Sequence, residues 1–164
     1  MTGLADHHHG ARIVQDGDGV IRDTRPMECL FCQIVARTQD ASIVYEDDRV
    51  LAFCDLYPVN PGHLLVITKA HAVGLSDLGE ADGRQMFTIG QALVAAIRKT
   101  DLRCDGINLF LADGAAAFQE VFHVHLHVIP RYVGDSFRLY TGQSTTPTPR
   151  SDLDAVASQV RARF

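Results

Sequence analysis

No basic run longer than Arg98-Lys99 occurs in this 164-residue sequence, and Asp plus Glu outnumber Lys plus Arg by 20 to 15. The resulting net charge of −5 gives no electrostatic footing for nucleic-acid binding or for attachment to a membrane surface. Long apolar runs are also missing. The longest, Ala92 to Ile97, falls far short of the ~18 residues that a transmembrane helix needs. The first twenty residues hold Asp6, His7, His8, His9, Asp16 and Asp18 where a secretory signal would place a basic and then an apolar segment. A cytoplasmic location is the expectation. Cysteine is scarce: Cys29, Cys32, Cys54 and Cys104 are too few for a disulfide scaffold at this length. The Cys29-Leu30-Phe31-Cys32 spacing points instead to metal ligation or redox chemistry.

What is present suffices for a core. At 46% hydrophobic and 21% charged residues, global disorder is excluded and one domain is expected. Residues 1–27, rich in Gly, Asp and His, hold only the apolar patches Ile13-Val14 and Val20-Ile21. They read as a flexible N-terminal arm, in which His7-His8-His9, native or tag-derived, has no catalytic role. Residues 28–164 read as the folded domain with a C-terminal loop and helix.

Leu30, Phe31, Ile34 and Val35 recur at helical spacing and predict a short helix ending before Arg37-Thr38. Strands are expected at Ile43 to Tyr45, Val50 to Cys54 and Leu64 to Thr68, with Pro58, Pro61 and Gly62 stiffening the loop before the third. Met86, Ile89, Leu93, Val94 and Ile97 mark the main amphipathic helix, roughly Glu80 to Thr100. Gly106 to Leu111 and Val121 to Ile129 are the last strands, joined through Asp113-Gly114. Ser151 with Asp154 resembles a capping signal for a final helix carrying Leu153, Val156 and Val160. This order predicts an α+β domain on a five-stranded antiparallel sheet, with short N- and C-terminal helices flanking the main one.

The sharpest feature is His123-Val124-His125-Leu126-His127-Val128-Ile129. On a strand, alternate side chains share a face, so three imidazoles line one side while Val124, Leu126 and Val128 anchor the other in the core. Such a row suits two chemistries. A neutral imidazole can attack phosphorus while its neighbour stabilises oxygens or protonates the leaving group. Alternatively, alternate histidines can ligate a catalytic metal that keeps one position for water.

From Cys29 to about Phe137 the sequence resembles the histidine triad (HIT) family of nucleotide hydrolases and transferases. The resemblance rests on Cys29-Leu30-Phe31-Cys32, Phe53-Cys54-Asp55, Asn60-Pro61-Gly62-His63-Leu64-Leu65-Val66-Ile67, Lys69-Ala70-His71, and Gln119-Glu120-Val121-Phe122 leading into the triad and Pro130-Arg131. It implies the HIT-like fold, a homodimer and a purine nucleotide substrate cleaved at the α-phosphorus, as a dinucleoside polyphosphate or a nucleoside phosphoramidate, with His127-Val128-Ile129-Pro130-Arg131-Tyr132 and Gly134-Asp135-Ser136-Phe137 resembling the dinucleoside polyphosphate branch slightly more. By the same resemblance His125 is the nucleophile and forms a nucleotidyl-histidine. His127 contacts the phosphate and helps the leaving group, Asp55 binds the ribose hydroxyls, and Gln119 reaches the phosphate region. His63 reads as structural.

Cys29, Cys32, His71 and His123 make a complete soft tetrahedral donor set, and some bacterial members of the family are similar in holding a structural zinc on these positions. A divalent cation can also accompany a polyphosphate substrate. Three departures bear on substrate fit: Phe118 stands where glycine is common, Thr68 replaces a proline, and Ala112 replaces an amide residue. Two rival functions are a zinc-dependent hydrolase using the triad itself as metal site and a non-catalytic nucleotide-binding or sensing module.

Overall fold

The computed structural model describes residues 29–138 and 147–163. The expected N-terminal arm and part of the loop before the last helix lie outside the described residues. In chain order the elements are helix α1 (Leu30–Val35), strands β1 (Ile43–Glu46), β2 (Val50–Cys54) and β3 (Leu64–Thr68), helix α2 (Glu80–Ile97), strands β4 (Gly106–Leu111) and β5 (His125–Arg131), and helix α3 (Arg150–Arg161). Single 3-10 turns at Leu75–Asp77 and Ala115–Ala117 were not expected from the sequence. The five strands form one sheet in the order β1-β2-β3-β5-β4, and every neighbouring pair is antiparallel. This is the expected α+β architecture.

Strand parity decides what each face carries. Val50, Ala52, Leu64, Val66, Val124, Leu126 and Val128 pack beneath Met86, Ile89, Leu93 and Ile97 of α2. Leu51, Phe53, Leu65 and Ile67 point the other way, onto Phe31 and Ile34 of α1. In the β3–β5 register Leu65 faces His127 and Ile67 faces His125. The period of two therefore sends both histidines to the α1 face while the intervening Leu126 is held under α2.

Gly90 lets α2 lie close to β5: a Cβ there would stand 2.7 Å from Cδ2 of Leu126, itself buried. Gly90→Val gains a few tenths of a kcal/mol in helix propensity but overpacks this contact. It is expected to lower unfolding free energy by about 1–3 kcal/mol in urea titration.

Several boundaries differ from the sequence expectation: β1 runs on to Glu46, α2 ends at Ile97 rather than near Thr100, and β5 ends at Arg131 rather than Ile129, while the starts of β5 and α3 also move. Strand β5 begins at His125 rather than Val121, because the Val124 amide donates to Ala72 O (2.7 Å) and the His123 amide to Val121 O (2.8 Å), outside the sheet ladder. Helix α3 starts one residue before Ser151, with Pro149 at its N-cap and no side-chain cap; the Ser151 hydroxyl donates to Asp152 instead.

Candidate active site and metal-binding cluster

His125 is 5% exposed and its ring lies 4.8 Å from that of His127. Its Nδ1 is 2.7 Å from the carbonyl oxygen of His123, which can only accept. The neutral ring therefore carries its proton on Nδ1, and Nε2 is left as a lone pair. Burial pushes the pKa of His125 below the ordinary imidazole value, against the pull of the His123 carbonyl, Asp55 and Glu120, and so keeps the ring neutral.

The partner ring has the opposite arrangement. The Val59 amide donates to His63 Nδ1 (3.2 Å), which obliges His63 to carry its proton on Nε2. That Nε2 lies 2.9 Å from His127 Nδ1, which accepts, so His127 holds its own proton on Nε2. Burial, and then the neighbouring His125 and His63, push His127 down to about 3. These bonds leave Nε2 bare on the His125 ring and protonated on the His127 ring, the two ring centroids being 4.8 Å apart. Asp55 lies 3.4 Å from His63 Nδ1 and accepts the Tyr57 amide on its other oxygen. Asp55, His63 and His127 group their potential ligand atoms closely, but His63 and His127 spend theirs on each other.

The His125 and His127 rings both line a cavity of about 970 Å³. Its apolar wall comes from Phe31, Ile34, Phe53 and Leu65, with Phe31 edge-on to His125 at 5.2 Å. Asp55 lies at the cavity as well. Gln119 does not: buried, it accepts the Gly114 amide at Oε1 (2.8 Å) and donates from Nε2 to Val73 O (2.7 Å).

His123 turns away from the other two triad histidines. Its Nε2–H donates to Thr68 O (2.8 Å), which aims the Nδ1 lone pair at Cys29 Sγ (3.5 Å) and Cys32 Sγ (3.6 Å). Cys29 sits at the N-cap of α1 and Cys32 in its first turn, so both thiols reach the same point. His71 Nδ1 lies 3.2 Å from Cys32 Sγ, and the four donor atoms all fall within 4.8 Å of one another. A tetrahedral zinc with bonds of ~2.3 Å to sulfur and ~2.0–2.1 Å to nitrogen has S···N edges of about 3.5 Å, so the residues fit the metal. Burial, and then the adjacent Cys29, push the Cys32 thiol up to about 12, and burial pushes His123 down to about 4. A divalent cation relieves the first and is served by the second. The His71 Nε2 is buried and has no hydrogen-bond partner.

Two supports were not recognised in the sequence. His63 reads as structural in the sequence, yet its Nε2 bonds His127 Nδ1 and so sets the tautomer of that ring. The signal was its parity with Leu65 and Ile67, which places it on the same face. Arg131 binds both oxygens of Asp135 (2.6 and 2.7 Å) and stacks over the Phe137 ring (4.6 Å), while Asn60 donates to Asp135 and to Pro130 O (both 2.9 Å). This network fixes Phe137 in the cavity wall. His63→Phe is expected to lower kcat about 10- to 100-fold in steady-state assays, since it removes the group that orients the proposed acid.

An antiparallel sheet that sets two oriented imidazoles over a deep cleft and sends the third into a thiol cluster defines a histidine triad protein. The family model described as HIT domain matches residues 36–134. An uncharacterised HIT-like protein of Mycobacterium tuberculosis is 42% identical over 123 residues, covering 75% of this chain and 85% of its own. The crystal structure of a HIT family protein from Bacillus anthracis superposes with a TM-score of 0.78 at 34% identity, over 84% of this chain and 97% of that one. A zinc-bound histidine triad family protein from Mycobacterium smegmatis does so with a TM-score of 0.66 at 38% identity, over 85% and 100%. The chain belongs to the HIT family.

Proposed function

We propose that the protein hydrolyses a purine nucleotide at the α-phosphorus through a covalent adduct on His125. HIT membership supports a nucleotide-binding or hydrolase-type function. One observation carries the finer reading: the His125 ring, its Nδ1 turned to the His123 carbonyl at 2.7 Å, lies 4.8 Å from the His127 ring, whose Nδ1 is turned to His63 at 2.9 Å, which leaves Nε2 of the first ring as a lone pair and Nε2 of the second with the proton. The His125 nitrogen attacks phosphorus, the bond from phosphorus to the leaving group breaks, and the leaving group takes the His127 proton. Water then cleaves the P–N bond, releasing nucleoside monophosphate and restoring both rings. Asp55 accepts hydrogen bonds from the ribose. Gln119 holds the loop before β5, and a direct phosphate contact requires its amide to leave Gly114 or Val73.

Asp40, Asp55 and Glu120 line the cavity, and among the described residues no Lys or Arg does. A polyphosphate therefore needs a divalent cation to accompany it, whereas a phosphoramidate needs none, which favours the phosphoramidate. Cys29, Cys32, His71 and His123 hold a zinc ion that, with all four positions filled, supplies stability rather than a water-activating centre. A cytoplasmic homodimer completes the proposal.

The test is turnover of adenosine and guanosine phosphoramidates and dinucleoside polyphosphates, with and without magnesium. Magnesium-independent cleavage of the phosphoramidate supports the reading; cleavage of neither class contradicts it.

The acid limb of kcat/KM is expected below pH 6.5, because burial holds His125 and His127 neutral past the ordinary imidazole value. Stability has the same sign. With His127 lowered to about 3, protons bind the unfolded chain first, so stability present above pH 6.5 is lost as pH falls through 6.5 toward that value. A pH-rate profile and thermal melts at stepped pH check both; an activity midpoint above 6.5 contradicts the burial argument.

A further inference from the structure

Phe118 is held where neither packing nor backbone preference explains it. Its φ of 68° is left-handed, a region that a bulky side chain enters at a cost, and its side chain is 83% exposed. The residues around it leave no slack. The Phe118 amide donates to Ala115 O (3.0 Å), the Gln119 amide to Gly114 O (3.2 Å), and the Gln119 side chain is bonded at both ends. A buried, fully bonded residue thus lifts an aromatic ring to the rim.

That ring lines the same cavity as His125 and His127, together with Tyr57 at 85% exposure and Leu56 at 81%. The cavity has two aromatic regions of different character. One is buried, with Phe31 and Phe53 packed edge-to-face at 5.7 Å and Phe31 against His125. The other is the open rim. A nucleoside base suits the buried region, which leaves the rim for the group that departs from phosphorus.

We propose that Phe118 is a specificity residue: its ring is the platform on which an aromatic leaving group stacks. This rests on the hydrolase reading above. An aromatic face in this position favours a flat leaving group over an alkyl one of equal reach, because stacking gains little from a saturated chain.

The experiment compares adenosine phosphoramidates of an aromatic ethylamine and of a linear alkylamine of similar length. In Phe118→Gly the ratio of kcat/KM, aromatic over alkyl, is expected to fall about tenfold, while Phe118→Trp preserves or raises it. Thermal melting reads the strain separately: glycine takes φ of 68° freely, so Phe118→Gly is expected to melt about 2–4 °C higher. An unchanged ratio overturns the assignment, as does a shift in oligomeric state of Phe118→Gly in sedimentation, which makes the ring a contact with a second copy. Wild-type protein that cleaves neither phosphoramidate overturns the assignment, and the hydrolase reading falls with it when dinucleoside polyphosphates are also left intact; wild-type cleavage with an unaltered ratio brings down Phe118 alone.

Discussion

His125→Asn is expected to lower kcat by about 10⁴-fold or more, the scale on which a covalent nucleophile is lost. The substitution separates chemistry from structure. Asparagine keeps an amide N–H that can donate to His123 O, the bond that the ring makes at 2.7 Å, but it has no nitrogen lone pair to place at phosphorus. His127 and its proton remain, as does the cavity. Nucleotide binding measured by calorimetry should therefore change far less than turnover. If the triad itself held a catalytic metal, loss of activity would track metal content, and His127→Asn would match His125→Asn. A module that only binds nucleotide shows no wild-type turnover to lose.

With zinc held as proposed by Cys29, Cys32, His71 and His123, its removal is expected to destabilise the fold substantially. By mass action, free metal at a thousandfold above its dissociation constant contributes about 4 kcal/mol. For a chain of this length that is a fall in Tm of roughly 8–16 °C on chelation or in Cys32→Ser. The donors come from α1, from the segment after β3 and from the approach to β5, so the cluster ties three separate parts of the chain together. Activity should fall too, but indirectly: the carbonyl of the same His123 holds the His125 ring. Chelated protein is expected to keep measurable turnover at temperatures below its lowered Tm. A chelator that abolishes turnover at once without moving Tm argues for a metal at phosphorus instead.

How much of this was legible in the residues follows their physics. Parity placed Val124, Leu126 and Val128 under α2 and His125 and His127 on the opposite face, because alternation is a local property of a strand. The cluster of Cys29, Cys32, His71 and His123 came from the family resemblance, and the fold brings all four donors together. What depends on tertiary hydrogen bonds was not legible. His63 reads as a structural loop residue in the sequence, whereas in the fold Val59 and His127 occupy its two nitrogens. The family resemblance places Gln119 at the phosphate region, but its amide is used by Gly114 and Val73. The start of β5 shifted because Val124 bonds to Ala72, a residue far away in the chain. The capping signal at Ser151 failed because Pro149 already supplies a suitable turn into α3.

The most direct measurement is rapid alkaline quenching of a single turnover, followed by peptide mass spectrometry across His123 to His127. A nucleoside monophosphate carried by His125 alone, appearing before free product and absent in His125→Asn, is the predicted result. Product accumulating with no protein-bound nucleotide at any time, or with the adduct on His127, would contradict it.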